Sequence, residues 1–242
     1  MSVKTRLSTG VQGLDDMLGG GYPEGSIVLI SGGPGSGKTI NGLQYTAAAV
    51  ERGEPVVYVN LEEPMENKKR YSRGFGWDLD AAEEDGLLST MDYILTSTVD
   101  GIVEPRNRET GVTEISLEHE IENAAKSIGA KHIVIDPLNS MMINARGASE
   151  IRYKVHKLFE LIRGLGCTSL ITYEGVFDTG SFYSEMFLSD GVIALTKDMI
   201  DFQVIKTLLI EKMRGIDFDD QPRRYTISGE GMVVFNKEPV LV

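Results

Sequence analysis

A stretch of nine residues from Ser31 to Thr39, Ser-Gly-Gly-Pro-Gly-Ser-Gly-Lys-Thr, has the residue types and spacing of a phosphate-binding P-loop. Its glycines let the backbone turn N–H groups inward toward an anion, an approach that side chains would block. Lys38 is predicted to place its ammonium on the β- and γ-phosphates, and the Thr39 hydroxyl is predicted to bind Mg²⁺. The predicted phosphate contacts are Gly33, Pro34, Gly35, Ser36, Gly37, Lys38, Thr39 and Ile40.

The residues on either side of this loop supply the elements that must position it. Residues 27–30 are an apolar run typical of a buried strand, and residues 40–51 place apolar side chains on one helical face. The N-terminus of that helix would direct its positive dipole end at the same phosphates. A glycine-rich turn with no ligand is the alternative interpretation, and the complete motif in a strand–loop–helix context disfavours it.

Two further predicted strands lead into carboxylates. An apolar run at residues 56–59 precedes Glu62 and Glu63, and a second run from residue 132 ends in Asp136. Ligands of α/β folds bind at the carboxyl ends of parallel strands. There the glutamates could orient or deprotonate an attacking water, and Asp136 could hold Mg²⁺ through water. Alternatively, the glutamates only complement a helix dipole and the aspartate only caps a turn, so the role of the glutamate pair stays open at this point.

The remaining pattern predicts one α/β domain over residues 1–242. Helical spacing recurs at residues 117–128 and 149–166, whereas residues 93–95 predict a strand. Strands alternate with helices in the first part of the chain, and hairpins follow residue 191. This order predicts a mostly parallel sheet with an antiparallel edge.

Composition and charge limit the classes of partner. The chain has 242 residues and a formal net charge of −12, which disfavours a protein that holds nucleic acid by neutralising phosphates. The best local candidate for a nucleic-acid surface is the basic cluster Lys68-Lys69-Arg70, with Arg73 nearby, although most such runs are solvated helix faces. No run approaches the length of a membrane span and no signal peptide is visible, so no membrane association and a cytoplasmic location are expected.

Cysteine and histidine are too sparse for a disulfide framework or a zinc site. Cys167 is the single cysteine, and it cannot form an internal disulfide. There are three histidines and no cysteine cluster, which argues against structural zinc.

Several motifs together resemble one known family. In chain order they are Gly10-Val11-Gln12-Gly13-Leu14-Asp15, the P-loop, Glu62-Glu63-Pro64, Gly74-Phe75-Gly76-Trp77-Asp78-Leu79, Ile135-Asp136 and Lys212-Met213-Arg214-Gly215. This order and spacing resemble the KaiC-type ATPases of the RecA superfamily. The resemblance covers nearly the entire chain as one ATPase module, whereas the circadian-clock protein carries two in tandem.

The resemblance implies a RecA-like P-loop NTPase fold, with a mostly parallel central sheet flanked by helices and a C-terminal antiparallel hairpin edge. It implies ATP and Mg²⁺ as cofactors and a slow ATPase that works in regulation or assembly with a regulatory protein partner that the sequence does not identify. Within the chain it implies catalytic roles for Glu62 and Glu63 and a nucleotide contact at Gly74.

The Lys-Met-Arg segment has a special place in this resemblance. The resemblance implies a homo-oligomeric ring, expected to be a hexamer, in which Lys212, Met213 and Arg214 reach the nucleotide of a neighbouring subunit. Lys212 and Arg214 would act there in trans on the charge of the γ-phosphoryl group. Alternate positions on a strand face one side, so both cations could meet one triphosphate. An exposed strand pair without any partner is the alternative interpretation.

The chain also departs from the family pattern. The family commonly has Thr and His after the Lys-x-Arg-Gly motif, and Ile216 and Phe218 stand at those places, so base or ribose recognition across an interface would differ. Thr179 and Ser181 lie in a loop comparable to the phosphorylated segment of the clock protein, but the match does not imply autophosphorylation. The competing hypotheses are an ATPase like RecA or RadA paralogues that binds single-stranded DNA, and a nucleotide-dependent scaffold or autokinase.

Overall fold

The computed structural model describes residues 5–93, 95–97, 103–105, 117–143, 145–175 and 184–239. Its helices and strands are β1 (Arg6–Leu7), α1 (Leu14–Met17), β2 (Tyr22–Pro23), β3 (Ile27–Gly32), α2 (Lys38–Glu51), β4 (Val56–Asn60), α3 (Met65–Arg73), α4 (Leu79–Glu84), β5 (Leu88–Asp92), β6 (Leu95–Ser97), β7 (Val103–Pro105), α5 (Leu117–Ile128), β8 (His132–Asp136), a 3-10 helix (Leu138–Met142), α6 (Ala148–Leu165), β9 (Thr168–Glu174), α7 (Ser184–Leu188), β10 (Gly191–Ile200), β11 (Gln203–Met213), β12 (Arg223–Ser228) and β13 (Gly231–Pro239).

A nine-stranded sheet organises the fold, in the order β13-β12-β11-β10-β3-β9-β8-β4-β5. The six strands from β10 to β5 are parallel, and β11, β12 and β13 extend the sheet in antiparallel fashion. This arrangement confirms the predicted α/β class, with a mostly parallel sheet and antiparallel C-terminal strands.

Both faces of the central strands are buried, which explains why these strands have continuous apolar sequences. In β3, Val28 and Ile30 pack on the face that α2 covers, in one cluster with Leu43 of that helix. Ile27 and Leu29 belong to the cluster on the other face, with residues of α5 and α6. Each such side chain contributes about 1.5–3 kcal/mol when it is fully buried. The strand that carries the P-loop is therefore fixed from both sides.

The order of the strands creates a crevice at one edge of the sheet. The connection from β3 reaches β4 beyond β9 and β8, whereas the connection from β9 reaches β10 beyond β3. Connections that leave neighbouring strands in opposite directions open a ligand crevice at the carboxyl ends of those strands. Register brings the ends together: Gly32 pairs with Glu174, and Asn60 pairs with Asp136.

One strand differs from the sequence prediction. A strand was expected at residues 93–95, but the edge strand is β5, at Leu88–Asp92, and Ile94 lies outside the described residues. Only Leu88 of this strand is fully buried. An edge strand with one covered residue has no apolar run, so its sequence carries little periodic signal.

Candidate functional site

The loop after β3 is shaped by glycines that no other residue could replace without movement. Gly37 caps the N-terminus of α2 with φ of 98°, and a Cβ placed on it would lie 2.4 Å from Ile227 Cδ1. A Cβ on Gly32 would lie 2.4 Å from Ser36 Oγ. Tyr225 fixes the loop from the side, since its hydroxyl donates to the Ser36 carbonyl at 2.5 Å. The result is a tight backbone cradle at the N-terminus of a 14-residue helix.

The inside of this cradle is polar and fits an oxyanion. Lys38 is 8% exposed, and its ammonium donates to the carbonyl oxygens of Gly32 at 2.8 Å and Gly33 at 3.2 Å. A phosphate oxygen is charged and would be a stronger acceptor for this ammonium than either carbonyl. Within the described part of the chain, the buried Ser36 Oγ has no hydrogen-bond partner.

Asp136 lies at the centre of a hydrogen-bond network at the end of β8. Its Oδ1 accepts from the hydroxyls of Thr172 at 2.5 Å and Thr39 at 3.5 Å. Its Oδ2 accepts from the Lys68 ammonium at 2.5 Å and the Tyr58 hydroxyl at 3.0 Å. Burial alone would raise the pKa of Asp136. The charge and hydrogen bond of Lys68, together with the hydroxyls of Thr172 and Tyr58, hold this pKa below its usual value. The carboxylate is therefore ionised.

The residues around Thr39 fit a magnesium ion. The Thr39 hydroxyl and the Asp136 carboxylate are hard oxygen donors that face each other. In the described ranges, no group of three or more His, Cys, Asp or Glu side chains could hold a metal by itself. Mg²⁺ suits such a site, because it keeps several waters and is commonly held by one or two protein oxygens and substrate phosphates.

A cavity of about 320 Å³ joins the P-loop to the carboxylates, within the size range of small-molecule sites. The predicted site residues that line it are Pro34, Gly35, Gly37, Lys38, Thr39, Ile40, Glu62, Glu63 and Asp136. Tyr71, Pro137 and Glu174 line it as well. The structure thus brings the P-loop, the glutamate pair and the β8 aspartate around one space.

The carboxylates of the cavity differ in their surroundings. Desolvation, with the charges of Glu174 and Asp136, raises the pKa of Glu62, while Lys68 and Lys38 oppose that shift. Glu63 accepts a hydrogen bond from the Tyr71 hydroxyl at 3.3 Å. Glu62 is therefore more basic than an ordinary glutamate, whereas the feature that marks Glu63 is its hydrogen bond to Tyr71.

Several residues near the site were not predicted to belong to it, among them Glu174, Lys68, Tyr58 and Thr172. Glu174 ends β9, so the rule that pointed to Asp136 at the end of β8 could also have pointed to it. No comparable signal marks the other three, because their roles depend on which strands are neighbours.

Other predicted nucleotide contacts lie outside this cavity. Gly74 caps the C-terminus of α3. The Lys212 ammonium donates to the carbonyls of Met186 at 2.7 Å and Ser189 at 2.6 Å, and Arg214 donates to the Phe187 carbonyl at 3.0 Å.

Met213 lies between these two cations in sequence and is buried. Lys212 and Arg214 therefore face one side, toward α7, and neither lines the P-loop cavity of its own chain. A contact between this segment and a nucleotide in another subunit stays a prediction.

The two lysines of the basic cluster on α3 are buried, whereas Arg70 and Arg73 are exposed. Lys68 is 2% exposed and Lys69 is 9% exposed. Lys69 pairs with the carboxylates of Glu83 and, at 3.2 Å, Asp80. Arg73 is also paired with Asp80, at 2.5 Å. The interpretation of the run as a solvated helix face or nucleic-acid surface is wrong for its two lysines, because tertiary contacts bury a face that looks polar in sequence.

The segments that depart from the family pattern are only partly described. Ile216 and Phe218 are half-buried and pack against the core beside α2. Thr179 and Ser181 lie outside the described residues. Across the ranges that the structure covers, no helix is both long and apolar enough to cross a membrane.

Comparisons with known proteins agree with this geometry. The protein-family model for the KaiC ATPase matches residues 7–239. A UPF0273 protein of Thermotoga maritima is 33% identical over 244 residues, which cover 96% of this chain and 97% of that protein. The circadian clock protein KaiC3 of Synechocystis sp. is 30% identical over 236 residues, which cover 95% of this chain but 45% of the clock protein.

A solved structure supports the same assignment. A KaiC-like protein from the hyperthermophilic archaeon Pyrococcus horikoshii OT3 superposes with a TM-score of 0.82 and 30% identity, and the match covers 96% of this chain and 100% of that one. The match in sequence and in fold extends over nearly the whole chain and includes the nucleotide-binding loop. The chain therefore belongs to the KaiC family of ATPases within the RecA superfamily, as a single KaiC-like module.

Proposed function

We propose that this protein is a slow, Mg²⁺-dependent ATPase that works as a ring of identical subunits, expected to be a hexamer, in regulation or assembly. Each site would bind ATP with the P-loop of one chain and would be completed by Lys212 and Arg214 of its neighbour. The nucleotide state would then depend on assembly, because an isolated chain carries only part of the site.

The position of Lys212 and Arg214 is the observation that supports this proposal. Lys212 pairs with Val192 on β10, which pairs with Leu29, three residues before β3 ends at Gly32. Two strand spacings and three residues of rise place Lys212 about 14 Å from Gly32 between Cα atoms. Arg214 lies farther still, because β11 runs antiparallel to β3. Neither cation reaches the P-loop of its own chain, so a role in hydrolysis requires another subunit.

Within one chain, the carboxylates are arranged to handle a water. Its oxygen would attack the γ-phosphorus, its proton would pass to the Glu62 carboxylate, and the bond to the β-phosphate oxygen would break. Glu63, held by Tyr71, would orient that water. Lys38 would bind the β- and γ-phosphates. Thr39, and Asp136 through water, would hold Mg²⁺, which would supply Lewis-acid stabilisation of the phosphate charge.

Mixtures of two inactive variants test whether one site is built from two chains. Glu63→Gln damages the water side of the site, and Arg214→Ala removes the cation from the neighbour. Each variant alone should release little phosphate from ATP. In a random equal mixture, about one quarter of the head-to-tail interfaces combine an intact Glu63 with an intact Arg214, so phosphate release should recover toward that fraction of wild type.

The chain offers a matched control for Arg214. Arg163 also donates to a carbonyl of the α7 segment, that of Leu188 at 2.8 Å, and pairs with Asp190. Arg163→Ala therefore removes the same kind of structural contact and should leave phosphate release near wild type. Light-scattering mass with and without ATP should show the ring. Wild-type turnover by Arg214→Ala, or no recovery in mixtures that do form rings, would contradict the shared site.

A further inference from the structure

We propose that Lys68 is a positioning residue that serves as a built-in counter-cation for Asp136 and makes nucleotide binding largely independent of Mg²⁺. This inference rests on the proposed function, since it concerns the same nucleotide site. Mg²⁺ would then be needed for hydrolysis, whereas the protein itself would supply the positive charge that binding requires.

Within the described ranges, Asp136 is the carboxylate that pairs with the Lys68 ammonium. The Lys68 side chain is 2% exposed, and the ammonium lies 2.5 Å from Asp136 Oδ2 and 5.1 Å from the centre of the Tyr58 ring. A charged amine is almost never fully buried unless it is paired. The contact therefore places a fixed positive charge against the aspartate expected to bind the metal through water.

The two carboxylate oxygens of Asp136 accept hydrogen bonds from different groups. Oδ2 accepts from Lys68 and Tyr58, which lie on the inner side of the carboxylate. Oδ1 accepts from Thr39 and Thr172 and faces the end of the P-loop. Lys68 consequently neutralises the carboxylate without occupying the oxygen that faces Thr39. A metal and Lys68 could act on Asp136 together.

The charges that line the cavity explain why a counter-cation at Asp136 would affect nucleotide binding. Among the described residues that line it are the four carboxylates of Glu62, Glu63, Asp136 and Glu174 and one ammonium, that of Lys38. Four negative groups repel a polyphosphate, and Mg²⁺ ordinarily offsets such repulsion. Lys68 offsets one carboxylate permanently, and its charge also opposes the raised pKa of Glu62. Without Lys68, that part of the compensation would have to come from the metal.

Lys69 provides a matched control on the same helix. It is also buried and paired with carboxylates, but its partners are Asp80 and Glu83, both on α4. Lys69→Met removes the same kind of side chain and breaks ion pairs whose carboxylates are 36% and 37% exposed. Loss of stability is common to both variants, whereas a change in metal dependence is expected only for Lys68→Met.

The experiment measures binding of the fluorescent N-methylanthraniloyl derivative of ADP to the full-length chain, in EDTA and in excess Mg²⁺. For wild type and Lys69→Met, Kd in EDTA should exceed Kd in Mg²⁺ by less than about tenfold. For Lys68→Met, the same ratio should rise to about a hundredfold or more. An unchanged ratio in a folded Lys68→Met protein would overturn the proposal.

The Kd of the wild-type protein tests the proposal even if Lys68→Met does not fold. A wild-type Kd that weakens by more than about a hundredfold in EDTA would refute the role of Lys68, while binding in Mg²⁺ would still support the proposed function. Absence of binding in both conditions would instead refute nucleotide binding, and the inference with it. Lys68→Arg keeps the charge and should keep the wild-type ratio.

Discussion

Replacing Lys68 with Met and Asp136 with Asn, singly and together, measures how strongly the two buried charges depend on each other. Removing one partner of a buried ion pair leaves an uncompensated charge and typically costs about 3–5 kcal/mol. For a chain of this length, 1 kcal/mol corresponds to roughly 2–4 °C in Tm. Each single variant should therefore unfold on the order of 10 °C below wild type.

The network around the pair indicates what remains in each variant. Lys68→Met leaves the carboxylate with the hydroxyls of Tyr58 and Thr172, which can solvate it but carry no charge. Asp136→Asn leaves the ammonium beside an amide with one acceptor oxygen and two competing N–H donors. The double variant has neither charge. Its loss of stability should be smaller than the sum of the single losses by about 2 kcal/mol or more.

Urea unfolding in EDTA and without nucleotide measures this coupling free of any ligand effect. The control is the same cycle for Lys69→Met and Glu83→Gln. The Glu83 side chain is 37% exposed. Coupling there should stay below about 1 kcal/mol, as for solvent-screened pairs. If the Lys68 and Asp136 effects add within about 0.5 kcal/mol, the buried charges do not interact as the geometry requires.

Two further predictions concern pH. Burial lowers the pKa of His132, despite its contact with Glu54, so the unfolded chain takes up a proton first as pH falls. The free energy of unfolding should stay constant above about pH 6.5 and decline below it. Urea unfolding of wild type and His132→Gln measures this, because the variant should lack that decline. A difference between the two proteins that does not change with pH would contradict the prediction. Burial, with Arg214 nearby, lowers the pKa of Lys212 to about 8. Phosphate release from ATP should therefore fall as the pH rises above that value. Lys212→Arg should flatten the decline, because arginine stays charged. If the pH profile of Lys212→Arg matches that of wild type, a charged Lys212 is not needed for turnover.

Local motifs made much of the fold and part of the site predictable. The P-loop is contiguous, so the sequence alone placed Lys38 and Thr39 at the junction of β3 and α2. Asp136 followed from a general property of parallel strands, whose carboxyl ends share one edge. The α/β class was equally accessible, because buried parallel strands and amphipathic helices have different apolar periods.

The network behind Asp136 was not predictable in the same way. Lys68 and Asp136 are 68 residues apart, and they meet because β8 pairs with β4, which leads into α3. Neighbouring strands in this sheet are often distant in sequence, and no apolar pattern states their order. A lysine on a short polar helix looks solvated until that order is known. The packing of α3 therefore buries both lysines of the candidate nucleic-acid surface and places Lys68 beside Asp136.

Helix α3 connects groups that would otherwise act separately. Lys68 contacts Asp136, Lys69 contacts the carboxylates around α4, and Tyr71 holds Glu63. The nine residues of this helix form one rigid segment, so a shift that lengthens the contact to Asp136 also moves the hydroxyl that orients Glu63. In the proposed mechanism, charge at the metal side of the site and orientation at the water side would therefore be linked through one element. Such a link would let Mg²⁺ act on hydrolysis more strongly than on binding, which is the distinction that Lys68 is proposed to create.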